Sequence, residues 1–163
     1  MKLNMSNNNL LAEGATALGG ALKDNKVMTE LNIAGNDLGY NANDDADMSG
    51  AIAISDAIPT MGALTSLDIS ANNIGELATV EGWKSKDGDG RAPWIGPDGQ
   101  TQWKDPPKEP AGAIALAGAI ISANGALASL DLSQNSIPEL EATQIKTSCQ
   151  SVSYTHLTLP TKA

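Results

Sequence analysis

One frame recurs four times in the chain and constrains the fold more than any other feature. Aligned on asparagine, LNMSNNNL (3–10), MTELNIAGNDLG (28–39), LTSLDISANNIG (64–75) and LASLDLSQNSIP (127–138) share L-x-x-L-x-L-x-x-N-x-L. Leu31, Ile33, Asn36 and Leu38 fill it, then Leu67, Ile69, Asn72 and Ile74, then Leu130, Leu132, Asn135 and Ile137. The first copy keeps Leu3, Met5, Asn8 and Leu10. Self-similarity at a period of 28 residues, Asn8 to Asn36, predicts stacked units, none able to bury its apolar face alone.

A second block alternates with the first. GATALGGAL (14–22), GAIAISDAI (50–58) and GAIALAGAI (112–120) align residue for residue. Leu18/Leu22, Ile54/Ile58 and Leu116/Ile120 lie four apart, the spacing of one helix face. Ala17/Ala21, Ala53/Ala57 and Ala115/Ala119 flank them, small enough for close packing on a strand layer. A fourth copy is weaker: Glu141-Ala-Thr-Gln-Ile145 falls on the frame, and Cys149 on the Leu22/Ile58 position.

These residues resemble the leucine-rich repeat family, in its ribonuclease-inhibitor-like subclass. The resemblance implies a right-handed α/β solenoid of about four strand–helix units over 1–75 and 111–150. A parallel sheet would lie inside and the helices outside. It also implies that Asn8, Asn36, Asn72 and Asn135 form a structural ladder, each satisfying backbone groups of a buried turn. Cys149 is expected to be a small buried helix residue.

Two insertions enter at one loop. Three residues separate Leu10 from Gly14, and three separate Ile137 from Glu141. Eleven separate Leu38 from Gly50, and thirty-seven separate Ile74 from Gly112. Insertions in stacked repeats collect on one rim, often the binding rim.

The longer insertion, 76–110, holds every tryptophan of the chain: Trp83, Trp94 and Trp103. Its Gly82-Trp83, Gly90-Arg91, Trp94, Thr101, Trp103 and Pro106 resemble a WW domain. Pro97-Asp98-Gly99 is a turn signal that predicts a small β-hairpin, pairing Trp94-Ile95 with Thr101-Gln102-Trp103. The resemblance implies a core of Trp83 on Pro106, and a groove for proline-rich segments using Trp94, Trp103 and Thr101. Pro93-Trp94 stands where the family has a pair of tyrosines. The alternative is a self-packed insertion with no ligand.

In the shorter insertion, Asp45, Asp47, Ser49, Gly50 and Asp56 fit a calcium-loop spacing. Alignment assigns Gly50 to Ile58 to a repeat helix instead, so no metal site is expected there. Nor does the sequence imply a cofactor. An enzyme is not expected: it offers no nucleophile–base pair and no phosphate loop. The lone His156 lies outside the repeats, so no pair with Cys149 is expected. Asp68 and Asp131 occupy one column, a unit's worth of sequence apart.

Net charge is −9, and five of the ten cations sit in or beside the tryptophan stretch. Nucleic acid and anionic membrane are therefore unexpected partners. No apolar run approaches the length of a membrane span. One cysteine and no apolar leader point to a cytoplasmic protein.

The final SVSYTHLTLPTKA (151–163) shifts abruptly to Ser and Thr and resembles a translated cloning adaptor. Tyr154-x-x-Leu157-x-Leu159 nevertheless mimics the strand frame, 27 residues after Leu130, and could dock as a further strand. The expected function is a protein–protein interaction scaffold, a fragment of a longer repeat array. Its partner would be a protein or proline-rich peptide. The alternative is a purely structural fragment.

Overall fold

The computed structural model of the chain describes residues 1–75, 78–79, 84–85, 94–95, 97, 99–102, 108–122, 126–150 and 156–158. In chain order, β1 (Lys2–Asn4) leads to α1 (Leu11–Leu22), β2 (Glu30–Asn32) to α2 (Ser49–Ala57), and a short 3-10 turn (Ile58–Thr60) to β3 (Ser66–Asp68). Five two-residue strands follow: β4 (Ala78–Thr79), β5 (Lys84–Ser85), β6 (Trp94–Ile95), β7 (Thr101–Gln102) and β8 (Lys108–Glu109). The chain ends with α3 (Ala111–Ser122), β9 (Ser129–Asp131), α4 (Glu139–Gln150) and β10 (His156–Thr158). Two compact units result. One comprises 1–76 and 110–163, the other 77–109.

The larger unit is α/β. Its sheet is parallel throughout, in the order β1-β2-β3-β9-β10. The register follows the repeat frame: Leu3, Leu31, Leu67, Leu130 and Leu157 stand side by side. Leu31, Ile33, Leu67, Ile69, Leu130 and Leu132 are all buried, as two-residue periodicity requires of a one-sided strand. Behind them pack Leu22, Ile54, Ile58, Leu116, Ile120 and Ile145. Among the described residues, the core draws nothing from 77–109.

Small residues set how closely the helices approach. A Cβ on Gly19 would lie 2.6 Å from the Ala53 carbonyl, and one on Gly50 would lie 2.8 Å from Ala12 Cα. Backbone meets backbone there, leaving no room for a side chain. Glu141 takes that position in α4, and α4 is the most polar of the four helices.

Three features extend the sequence reading. β10 docks on β9 with Leu157 opposite Leu130, so the tail segment occupies the next strand position. The helices begin at Leu11, Ser49, Ala111 and Glu139, one to three residues before the conserved block. Asp45 to Asp56 is not a continuous loop, because α2 covers Ser49–Ala57; Asp47 instead accepts a 2.9 Å bond from the Ser49 N–H.

In the smaller unit, β6 pairs antiparallel with β7, setting Trp94 opposite Gln102 and Ile95 opposite Thr101. The sequence reading had a hairpin; the structure adds β5 on the other side of β6, with Ser85 opposite Trp94. β4 and β8 pair separately, Ala78 with Glu109 and Thr79 with Lys108. No turn signal marks β5, and paired strands of two residues have too little periodicity to show in sequence. Excising 76–110 should leave far-ultraviolet circular dichroism and a cooperative melt intact, because the hydrophobic core cluster includes no described residue of that range and, of the larger unit's described buried residues, only Pro110, just before α3, is lost. Collapse of the melt would show that the core depends on the excised residues.

Candidate functional site

Three regions can carry function: the turns that leave the parallel strands, the open face of the sheet, and the tryptophan-bearing unit. The turns are the best defined. Asn36 Oδ1 accepts from the Asn8 N–H at 2.8 Å, and Asn36 Nδ2 donates to the carbonyls of Met5, Ile33 and Ala34. Asn72 repeats the pattern, accepting from the Asn36 N–H at 2.8 Å and donating to Ile33, Ile69 and Ser70. Asn135 accepts from the Asn72 N–H at 2.9 Å and donates to Ile69, Leu132 and Ser133. Each asparagine thus reaches back to hold the preceding turn. Asn36, Asn72 and Asn135 are wholly buried.

Asn8 departs from this pattern. It is exposed, and its amide bonds only its own unit, at Met5 and Ser6. It begins the ladder, with no described donor to its Oδ1.

The ladder explains the backbone beside it. In each turn the residues on either side of the asparagine have positive φ: Asn7 and Asn9, Gly35 and Asp37, Ala71 and Asn73, Gln134 and Ser136. Only Gly and, less readily, Asn and Asp visit this region at low cost. Ala71, Gln134 and Ser136 are held there because the surrounding bonds over-determine the turn. These paired positions are functional to the fold, and the frame alone did not reveal them. The run of Asn, Gly and Asp at 7, 9, 35, 37 and 73 was the available signal.

The open sheet face carries Lys2 and Glu30, joined at 2.6 Å, with Ser66 and Ser129 continuing that column. The next column is Asn4, Asn32, Asp68 and Asp131. Asp68 and Asp131 are direct neighbours in register, as their shared column requires. Both are bonded locally. Asp68 accepts from Asn32 Nδ2, the Ser70 N–H and the Ser70 hydroxyl, and Asp131 accepts from the Ser133 N–H. No group of three or more potential metal ligands forms among the described residues. A small concavity between Ile58, Pro59, Met61, Leu64 and Leu127 is lined by apolar side chains and holds no acid–base pair.

In the tryptophan-bearing unit, Thr101 lies exposed on β7 and Trp94 lies on β6, one strand away. The Trp94 side chain, and Trp83, Trp103 and Pro106 entirely, lie outside the described residues. So does the Cys149 side chain, although its backbone is in α4. No helix among the described residues is long and apolar enough to cross a membrane.

No family model matches the chain, and no curated protein does. Among solved structures, the chain is similar to one described as leiomodin-1 actin-binding site 2. The TM-score is 0.58 at 13% identity, over 99% of this chain and 71% of that one. The likeness is one of fold: a parallel sheet with helices, in repeating order.

Proposed function

We propose that the chain is a leucine-rich repeat solenoid that serves as a protein–protein interaction scaffold, with the tryptophan-bearing unit as its ligand-binding insertion. The observation that carries this reading is the antiparallel β5-β6-β7 sheet in the tryptophan-bearing unit, a unit from which the repeat core draws no described residue. Register pairs Trp94 with Gln102 and Thr101 with Ile95, so Trp94 and Thr101 fall on opposite faces, and the case for proline-rich segments, which offer apolar rings and unbonded carbonyls in a preformed helix, rests on the resemblance to a WW domain. The neighbour's description as an actin-binding site agrees with a protein partner in general terms. At 13% identity it carries no binding residue across.

A purely structural reading has its own support. The sheet face presents Ser, Asn and Asp side chains already bonded to one another, without the Trp, Tyr or Arg anchors of interface hot spots. Titration of a proline-rich peptide, followed by tryptophan fluorescence, separates the two readings. Scaffold binding should shift the emission, and Trp103→Ala should abolish the shift. An unchanged spectrum at millimolar peptide, about 4 kcal/mol of affinity or less, leaves the structural reading.

A further inference from the structure

Lys26 and Gly62 hold the same position in successive repeats, as Asn36 and Asn72 do, and only the first has a side chain. Lys26 uses it to span the junction. Its Nζ donates to the Thr60 carbonyl of the next repeat at 2.6 Å. On the way its Cδ lies 4.0 Å from where a Gly62 Cβ would stand. The Asp24 N–H joins the same turn, donating to the Thr60 hydroxyl at 2.8 Å. The first two repeats are thus fastened by a lysine whose methylene stem passes beside glycine and whose ammonium ends on a backbone carbonyl.

The second and third repeats meet at the same place, with glycine where that lysine would start. The apolar concavity noted above opens there. Its walls are Ile58, Pro59, Met61 and Leu64 of the second repeat and Ala126 and Leu127 of the third, with Gly62 between them. Its volume of about 50 Å³ takes about four water-sized groups, the size of a lysine's methylene stem. Met61 stands where the first repeat has Asn25, which makes this junction the more apolar. Alignment of Ile58 with Ile120 puts Ser122, the last residue of α3, where Thr60 stands. The last turn of α3 carries no basic residue. A helix end leaves its final carbonyls without intrahelical partners, and a cation there is favourable.

We propose that this concavity is a docking site for a lysine side chain presented by a partner protein, its stem against Met61 and Gly62 and its ammonium at the carboxyl end of α3. The occupant is argued from the chain itself, because Lys26 takes the equivalent path one repeat earlier. Charge agrees, since a chain of net charge −9 attracts cationic partners. Arginine suits the place less well, because its planar fork of donors matches carboxylates and phosphates, whereas a compact ammonium needs only a carbonyl at the end of an apolar stem. The site is built from residues of the larger unit alone, so it stands whether or not the tryptophan-bearing unit binds a ligand.

The test titrates the full chain with the peptide acetyl-glycyl-lysyl-glycinamide and follows methyl resonances. One side chain supports a dissociation constant of about a millimolar. The lysine peptide should therefore shift the Met61 and Ala126 methyls at millimolar concentration. Its norleucine counterpart, which keeps the stem but not the ammonium, should need about tenfold more. Gly62→Lys supplies the missing arm from within. It should melt no lower than the parent, since a Cβ there meets nothing nearer than 4.0 Å, and it should abolish the shifts. Gly62→Met, whose uncharged arm cannot repel Lys26, should block the site equally. Methyls that do not move in the parent would overturn the site. Equal responses to the two peptides would overturn the part given to the ammonium, and with it the choice of lysine. Shifts that survive both substitutions would place the peptide elsewhere and overturn the assignment.

Discussion

Replacing Asn72 with alanine should lower the free energy of unfolding by about 3 kcal/mol, measured as a fall in denaturant midpoint at constant slope. The side chain makes four bonds in a fully buried turn. Its loss orphans the Asn36 N–H and removes a donor from three carbonyls, two of them on the buried Ile33 and Ile69 that follow β2 and β3. Alanine also leaves a small void. The positive φ angles at Ala71 and Asn73 keep the Ala71 N–H bond to Ser133 and the Asn73 bond to Asp37, so the turn is still held in part and the penalty stays at about 3 kcal/mol instead of growing with every lost bond. Asn8→Ala is the control. Exposed, and bonded only within its own turn, it should change stability by well under about 1 kcal/mol. Equal effects at the two positions would mean that the ladder contributes nothing beyond local turn bonds.

Gly75→Ala should be comparably damaging, about 3 kcal/mol, for a different reason. The added Cβ would sit 2.5 Å from both Ile137 Cα and Ile137 N, and 2.6 Å from the Asn135 carbonyl. All three are backbone atoms of the neighbouring turn, so no side chain can swing aside. The same carbonyl accepts the Gly75 N–H at 2.9 Å, and moving the turn away would break that bond as well. Gly20→Ala, in an exposed position of α1 with nothing within 4 Å of the new Cβ, should be neutral or stabilising by up to about 1 kcal/mol. Thermal melts of the two variants distinguish crowding from helix propensity. A mild effect at Gly75 would show that the turns can separate without unravelling.

Much of this could be read from the sequence because the repeat states each rule several times. Leu31, Leu67 and Leu130 predicted one another's register, and the structure aligns them in one row. The asparagine positions were equally plain, since a buried turn must find partners for its backbone. Gly75 was less so. The sequence shows glycine at 39 and 75 but leucine at 11 and proline at 138, and only coordinates reveal that the middle two face a neighbouring backbone. Asp68 and Asp131 share a column of the repeat frame, and the structure makes them neighbours in register. β5 was missed because two residues carry no period. For the proposed ligand site, the pairing of β6 with β7 was legible because Pro97-Asp98-Gly99 marks a turn between them, whereas Trp83 and Trp103 lie outside the described residues.

The asparagine ladder also has a direction. Every described ladder-asparagine side-chain bond between turns is made by the later unit to the earlier one. Peeling away the first unit therefore leaves Asn36 with its own two carbonyls and water in place of the rest. Peeling away the last leaves the Asn72 N–H and the Ile69 carbonyl stripped of the Asn135 side chain that held them. A chain pulled mechanically from its amino end should yield in small successive steps, whereas tension at the carboxyl end removes the keystone first and invites one larger rupture. The molecule is a ratchet in its response to force, although its sheet looks alike from either side.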